Sequence, residues 1–497
     1  MKKKIIGLLV AIFTFGIFLN VDAVTITTDS SKKGTTDPSS LLVTNTGTIT
    51  VSNVGTADRL VAYKILDVYY NATSNVMTYE FTTSFKAFLA SSSTYKNLTV
   101  DEYYALTSGD ITSGSTRTQS TLDKLVSAYA TYVKNHTTTS TALTTSGSTA
   151  TGTVAAGAYL VIPSVTTNVY AVMVGNVIPV ANGTTWEINN STIVAKVSNA
   201  SLTKYVGSEG YFEGDYSFGQ EFTYILVGTV PQYPTNATNT VYTITDTVGN
   251  GITLSALSTM TIKYGTTTLT NSNGTFKNSS GNTVATATIT GQKITIVFNT
   301  SYIDATTVTV QYKAKLNSSA TLGDAGNLNS AVLTYANDPY GTLTTTTSAV
   351  NVSAFTYGIE LFIYSNSDNS KKLSNVKFEV YSDAALSTKV GDITTDTNGR
   401  GSYAGVKSGT YYLKQTSTAA GYGLPKDAVP IKVKITGATE GTVTGYYRVD
   451  IAAYETGTLP FTGGMGTSLF SFIGLLVIAA SAIAIIVYRN KKEEITE

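Results

Sequence analysis

The stretch VYTITDTVGNGITL, residues 241–254, sets the architecture of the chain. Tyr242, Ile244 and Val248 alternate with threonines, the two-residue period of a strand with one face buried, and Gly249, Asn250 and Gly251 follow as turn residues. The same pattern runs outward: EFTYILVGTV (221–230), KITIVFN (293–299) and VTVQYKAKLN (308–317) are strand-like runs punctuated by Gly and Asn. That spacing suits a β-sandwich.

Upstream, GTITVSNV (47–54), LVAYKILDVYY (60–70) and AAGAYLVIPSV (155–165) read as half-buried strands. Between them TLDKLVSAYATYVKN (121–135) places Leu122, Leu125, Val126, Tyr129 and Val133 at helical spacing, which predicts one or two helices inserted among the strands. The low-complexity run TTTSTALTTSGSTATGTV (137–154) reads as a mobile surface loop. Downstream, IELFIY (359–364), VKFEVYSD (376–383), GTYYLKQT (409–416), IKVKIT (431–436) and YYRVDIAAYE (446–455) predict a further sandwich. The fold class is all-β, with immunoglobulin-like sandwiches in tandem: an N-terminal domain over 24–198 with a short helical insertion, a middle domain over 199–350 and a C-terminal domain over 351–458.

Composition removes several classes of function. Across 497 residues, 33 Lys and Arg face 32 Asp and Glu, so no global field favours nucleic acid. No cysteine is present, which removes disulfides, thiolate metal sites and cysteine nucleophiles. The single histidine, His136, lies in a polar run and reads as solvated surface rather than as a member of a triad or metal centre. SNSDNSKKLSNV (365–376) has oxygen ligands but lacks the glycine and terminal glutamate of a calcium loop, so no metal and no cofactor are expected.

Both ends carry processing signals. Lys2 to Lys4, an apolar core and small Ala23 make residues 1–23 a secretory signal peptide, which places the mature chain outside the cytoplasm. Residues 469–488 are apolar enough to cross a bilayer as a helix of about 30 Å. Arg489, Lys491 and Lys492 at the start of the tail 489–497 keep that end cytoplasmic. Just before the span stand Leu459, Pro460, Phe461, Thr462 and Gly463. Pro460 fixes its own φ and lacks an N–H, which keeps this segment out of a strand and available to an enzyme groove.

Pentapeptide, span and basic tail in this order resemble the LPxTG cell-wall sorting signal of Gram-positive bacteria. The resemblance implies cleavage by a sortase between Thr462 and Gly463, loss of the membrane helix, and joining of Thr462 to an amine. Along the body, AYKILDVYY, GAYLVI, TITDTVGNGITL, VTVQYKAKLN, GNLNSAVLTYAND and YYLKQTSTAAGYGLP are similar, in this order, to the three-domain backbone pilins that sortases assemble. The domains are then of Cna type.

A pilin of that family offers a lysine amine to the next subunit's threonine. In TWEINNSTIVAKV this position is Lys196, ten residues past Trp186 where eight is usual, with Ala195 in place of the usual proline; Lys204 is the other candidate. The family also closes internal isopeptide bonds, in which a buried lysine attacks an asparagine carboxamide with help from a neighbouring acid. Desolvation keeps the amine neutral and the acid protonated, able to polarise the carbonyl. The matching positions are Lys204, Asp246 and Asn329, with Asn327 as the alternative to Asn329. Lys204 is expected on a first strand and the asparagine just before the neighbouring last strand.

In the C-terminal domain the same alignment gives Ile363, Gln415 and Ala453 where lysine, glutamate and asparagine belong. All three departures agree, since a lone buried charge costs several kcal/mol. No bond is expected there.

The resemblance implies a pilus shaft subunit, secreted and cell-wall anchored on a Gram-positive cell. It touches the membrane only before sorting and binds no nucleic acid. Its partners are a pilus-specific sortase, a housekeeping sortase, identical subunits, accessory pilins and peptidoglycan. The alternative is an adhesin or minor pilin attached singly to peptidoglycan. An enzyme is the weakest reading, because no catalytic constellation stands out.

Overall fold

A computed structural model describes residues 24–108, 119–183, 185–303 and 307–456. The signal peptide, the sorting motif from Leu459 to Gly463, the apolar span and the basic tail lie outside the described residues. The chain divides into two compact units. One holds the described residues of 1–214 with Gly219–Ser319 and Asn327–Ala354; the other holds Asp215–Phe218, Ala320–Gly326 and the described residues from Phe355 onward.

The first unit contains both the N-terminal and middle segments. In the N-terminal segment, the long strand Arg59–Asn71 pairs antiparallel with Gly157–Val165 and Val76–Phe81. Alternation lets this one strand serve two cores, and its register shifts between Lys64 and Leu66. Leu60 and Ala62 join Ile49, Val51, Val161 and Tyr170, whereas Ile65 and Leu66 face the helices. Gly157 sits against the shift, where a Cβ would strike Lys64 and the carbonyl of Leu66.

Three α-helices occur among the described residues, α1 (Thr83–Ser91), α2 (Val100–Ser108) and α3 (Gln119–Asn135), one more than the upper expectation. The extra helices are short and announced by caps. Thr82 Oγ1 accepts from Phe85 N, and Thr99 and Glu102 form a reciprocal capping box at 3.2 and 2.9 Å. On α3 the spaced apolar residues Leu122, Leu125, Val126, Tyr129 and Val133 are all buried, together with Tyr340 from far along the chain.

The threonine-rich run over 137–154 is not a loop. It forms the hairpin Thr141–Ser146 and Thr149–Ala155, turning at Gly147 with φ 59°. Its many threonines are β-branched and favour strands, and Leu143, Ala150 and Val154 supply a buried face that low complexity conceals.

The middle segment folds as a pair of facing sheets. Ser201–Val206 pairs with Glu221–Thr229, which pairs with Thr307–Leu316. In the opposing sheet Tyr242–Val248 lies between Lys293–Phe298 and Asn327–Tyr335. Val350–Phe355 pairs on the outer side of Asn327–Tyr335.

The second unit packs one sheet on another. Tyr357–Ser365 runs between Arg400–Val406 and, parallel to itself, Tyr446–Ala453. The other sheet has the order Lys389–Thr394, Lys377–Tyr381, Gly409–Ser417, Val429–Val433. Ile359, Leu361, Ile363, Phe378, Val380, Leu413 and Ile451 fill the space between.

Candidate functional site

The alternation that builds the middle sandwich also builds its site. Leu202, Lys204 and Val206 share the inward face of Ser201–Val206; Tyr242, Ile244, Asp246 and Val248 share that of Tyr242–Val248. A lysine and an aspartate thus occupy places where the pattern calls for apolar side chains. Asn329 sits inward on Asn327–Tyr335, within the strand rather than just before a final one. Lys204 comes from the opposite sheet, so the two residues meet across the sandwich and not along a ladder.

Exposure is 1 % for Lys204 and 0 % for Asp246 and Asn329. Lys204 Nζ touches Asp246 Oδ1 and donates to Asn329 Oδ1 at 2.5 Å. The amine also lies 5.3 Å from the centre of the Tyr224 ring. Burial pushes Lys204 down to about 8, against the opposing pull of the Asp246 charge. Near neutral pH a fraction of the amine is therefore uncharged and able to attack.

A fourth side chain completes the cluster. Tyr312, on Thr307–Leu316, donates its hydroxyl proton to Asp246 Oδ2 at 2.7 Å and accepts from Asn329 Nδ2 at 2.6 Å. Its phenol is held well above the ordinary tyrosine range, first by burial and then by Asp246. Sequence reasoning missed it because Tyr312 looks like any inward aromatic of an alternating strand; the one available signal was its place in VTVQYKAKLN. The hydrogen bonds place the Asp246 carboxyl on the amine and the phenol, not directly on the carbonyl oxygen. Asn327, the alternative acceptor, donates its amide to Ala354 O at 3.0 Å.

Lys196 lies apart from this cluster, between the strands Ser191–Val194 and Val197–Ser198. It is half-buried, and burial lowers its amine while Asp123 on α3 opposes that shift. Trp186, ten residues before it, donates Nε1 to Asn75 Oδ1 at 2.9 Å and meets Tyr70 edge-on. Lys204, the other polymerising candidate, is sealed in the core, out of reach of a second protein.

In the second unit the three positions that the family resemblance pointed to are buried and carry no charge. Ile363 is 0 % exposed, and Ala453 and Gln415 3 % each. Gln415 Nε2 donates to Ser417 O at 3.3 Å, while its Oε1 has no hydrogen-bond partner among the described residues. His136 is exposed, stacks on Tyr132 at 3.9 Å and contacts the Tyr132 carbonyl.

This fold has counterparts among known proteins. Residues 362–446 match the SpaA prealbumin-like fold domain family. The chain is 27% identical over 275 residues to the trypsin-resistant surface T6 protein of Streptococcus pyogenes serotype M6, covering 50% of this chain and 49% of that protein. It thus spans about half the length of the curated relative it matches. Its fold resembles that of the T6 backbone pilin of serotype M6 Streptococcus pyogenes, described as a modular three-domain structure, with a TM-score of 0.64 at 19% identity over 80% of this chain and 81% of the other. The full-length major pilin SpaD of Corynebacterium diphtheriae gives 0.55 at 15% identity over 83% and 98%. The fold is accordingly that of a mostly β, prealbumin-like and immunoglobulin-type chain.

Proposed function

We propose that this chain is the repeating shaft subunit of a covalent pilus on the surface of a Gram-positive bacterium. It consists of three β modules, 24–198, 199–350 and 351–458. After export, a pilus sortase cleaves between Thr462 and Gly463 and joins the Thr462 carbonyl to the Lys196 amine of the next subunit. A housekeeping sortase attaches the finished polymer to peptidoglycan, and accessory pilins join the same fibre. The chain is a substrate of these enzymes and turns over no external molecule.

The observation that carries the reading is the buried meeting of Lys204, Asp246 and Asn329 inside a fold shared with backbone pilins. An isolated lysine at that depth would be costly, and a carboxylate and a carboxamide are both within contact of it. In the proposed self-modification, neutral Lys204 Nζ attacks Asn329 Cγ and the Cγ–Nδ2 bond breaks. One proton passes from Nζ to the departing nitrogen, which leaves as ammonia. The resulting amide clamps the middle module from its first strand to one of its last. The C-terminal module carries no such bond and relies on apolar packing.

Two experiments test this. The intact mass of the secreted chain should fall short of the sequence mass by one ammonia, and no deficit would refute the clamp. Bacteria carrying the assembly sortase should yield a ladder that survives boiling in detergent and vanishes for Lys196→Ala. Monomers alone from the unaltered strain would refute the shaft assignment, and a ladder in the variant would refute Lys196.

A further inference from the structure

The isopeptide reading leaves one chemical problem open, and Tyr312 addresses it. A carboxamide nitrogen is a poor leaving group until it is protonated, and the incoming amine must lose a proton at the same time. Lys204 Nζ lies against the carboxamide oxygen of Asn329, and Asp246 touches only one of the two nitrogens. Its Oδ1 is against Lys204 Nζ, while its Oδ2 is bonded to the Tyr312 hydroxyl at 2.7 Å. It is the Tyr312 oxygen, at 2.6 Å, that reaches Asn329 Nδ2.

We propose that Tyr312 is a catalytic residue of this bond formation, relaying a proton from Asp246 to the departing nitrogen of Asn329. This rests on the isopeptide reading and extends it. Nζ bonds to Cγ and sheds one proton to the Asp246 carboxylate. Tyr312 gives its hydroxyl proton to Nδ2 as the Cγ–Nδ2 bond breaks and ammonia leaves. The protonated Asp246 then restores the proton to the phenol oxygen. Lys204 and Asn329 end as a secondary amide, and Asp246 and Tyr312 end as they began.

The surroundings suit the relay. Tyr312 is 3 % exposed, so bulk water is kept from the phenol. The Tyr224 ring packs on it at 5.4 Å and lies beside the Lys204 amine, which fixes the phenol in place. A phenol in this setting keeps its proton until a stronger base, the pyramidal nitrogen of the intermediate, appears beside it.

The test follows the cross-linked peptide joining Lys204 to Asn329 by mass spectrometry in the full chain. The chain is made cell-free, folded at pH 6, where Lys204 holds its proton, and then stepped to pH 9. Tyr312→Phe should slow the appearance of the cross-link by about 10²-fold or more. Because Tyr312→Phe removes two buried hydrogen bonds and could impair folding, a second series replaces Tyr312 with fluorinated tyrosines, which keep its shape and change the acidity of the phenol. The rate should track that acidity. A rate unchanged across the fluorinated series, or a wild-type rate in folded Tyr312→Phe, would overturn the relay while leaving the bond intact. A wild-type chain that never yields the peptide would instead sink the isopeptide reading itself.

Discussion

Asn329→Ala offers the sharpest quantitative test of the clamp. It removes the electrophilic carbon and leaves Lys204, Asp246 and Tyr312 in place. Lys204 and Asn329 are 125 residues apart in sequence, so the bond closes a loop of that size in the unfolded chain. By the chain-entropy relation established for cross-links, such a loop stabilises the fold by about 5 kcal/mol at 25 °C. The variant also retains an ionisable amine in the core, which adds to the loss. For a folding unit of about 150 to 250 residues each kcal/mol moves the melting midpoint by about 2–4 °C, so the expected fall is about 10–20 °C. The assay is intact mass beside a calorimetric melt of the secreted chain. The parent should lack one ammonia and the variant none. If neither chain lacks ammonia, the bond does not form. Distinct masses with midpoints agreeing to about 3 °C would show that the cross-link exists but that its loop entropy does not stabilise the fold, and the entropic reasoning would be refuted.

Other consequences can be checked separately. Because burial lowers Lys204 to about 8, its amine is protonated and unreactive at acid pH, so cross-linking should accelerate about tenfold per pH unit up to about 8 and then level; a flat profile between about pH 5 and 9 would contradict this. Ile363→Lys alone would put an unpaired ammonium into a fully buried site and should lower the stability of the C-terminal module by several kcal/mol in urea melts, whereas a neutral outcome would mean that the site can admit water. Tyr340→Ala should empty a portion of the helical core and cost about 3–5 kcal/mol, read as a lower midpoint with α3 exchanging its amide hydrogens sooner.

Much of the fold was legible because strands and helices announce themselves locally. The α3 face at Leu122, Leu125, Val126, Tyr129 and Val133 follows from helical spacing, and each of these residues is buried. EFTYILVGTV and VTVQYKAKLN became the paired strands Glu221–Thr229 and Thr307–Leu316. The hairpin over 141–155 was hidden because its apolar residues are few and small, so its identity as strand rests on pairing with Thr46–Ser52 and Arg59–Asn71, partners far away in sequence.

The sequence by itself determined which residues alternate inward and where the glycines and asparagines turn the chain. Those are properties of neighbours along the backbone. Only the tertiary structure decided that Lys204 meets Asn329 across the sandwich rather than along a ladder, and that the Tyr312 hydroxyl stands between Asp246 and the Asn329 nitrogen. These contacts join residues from four strands in two sheets. Their distances depend on how the sheets stack, and periodicity within one strand carries no information about that.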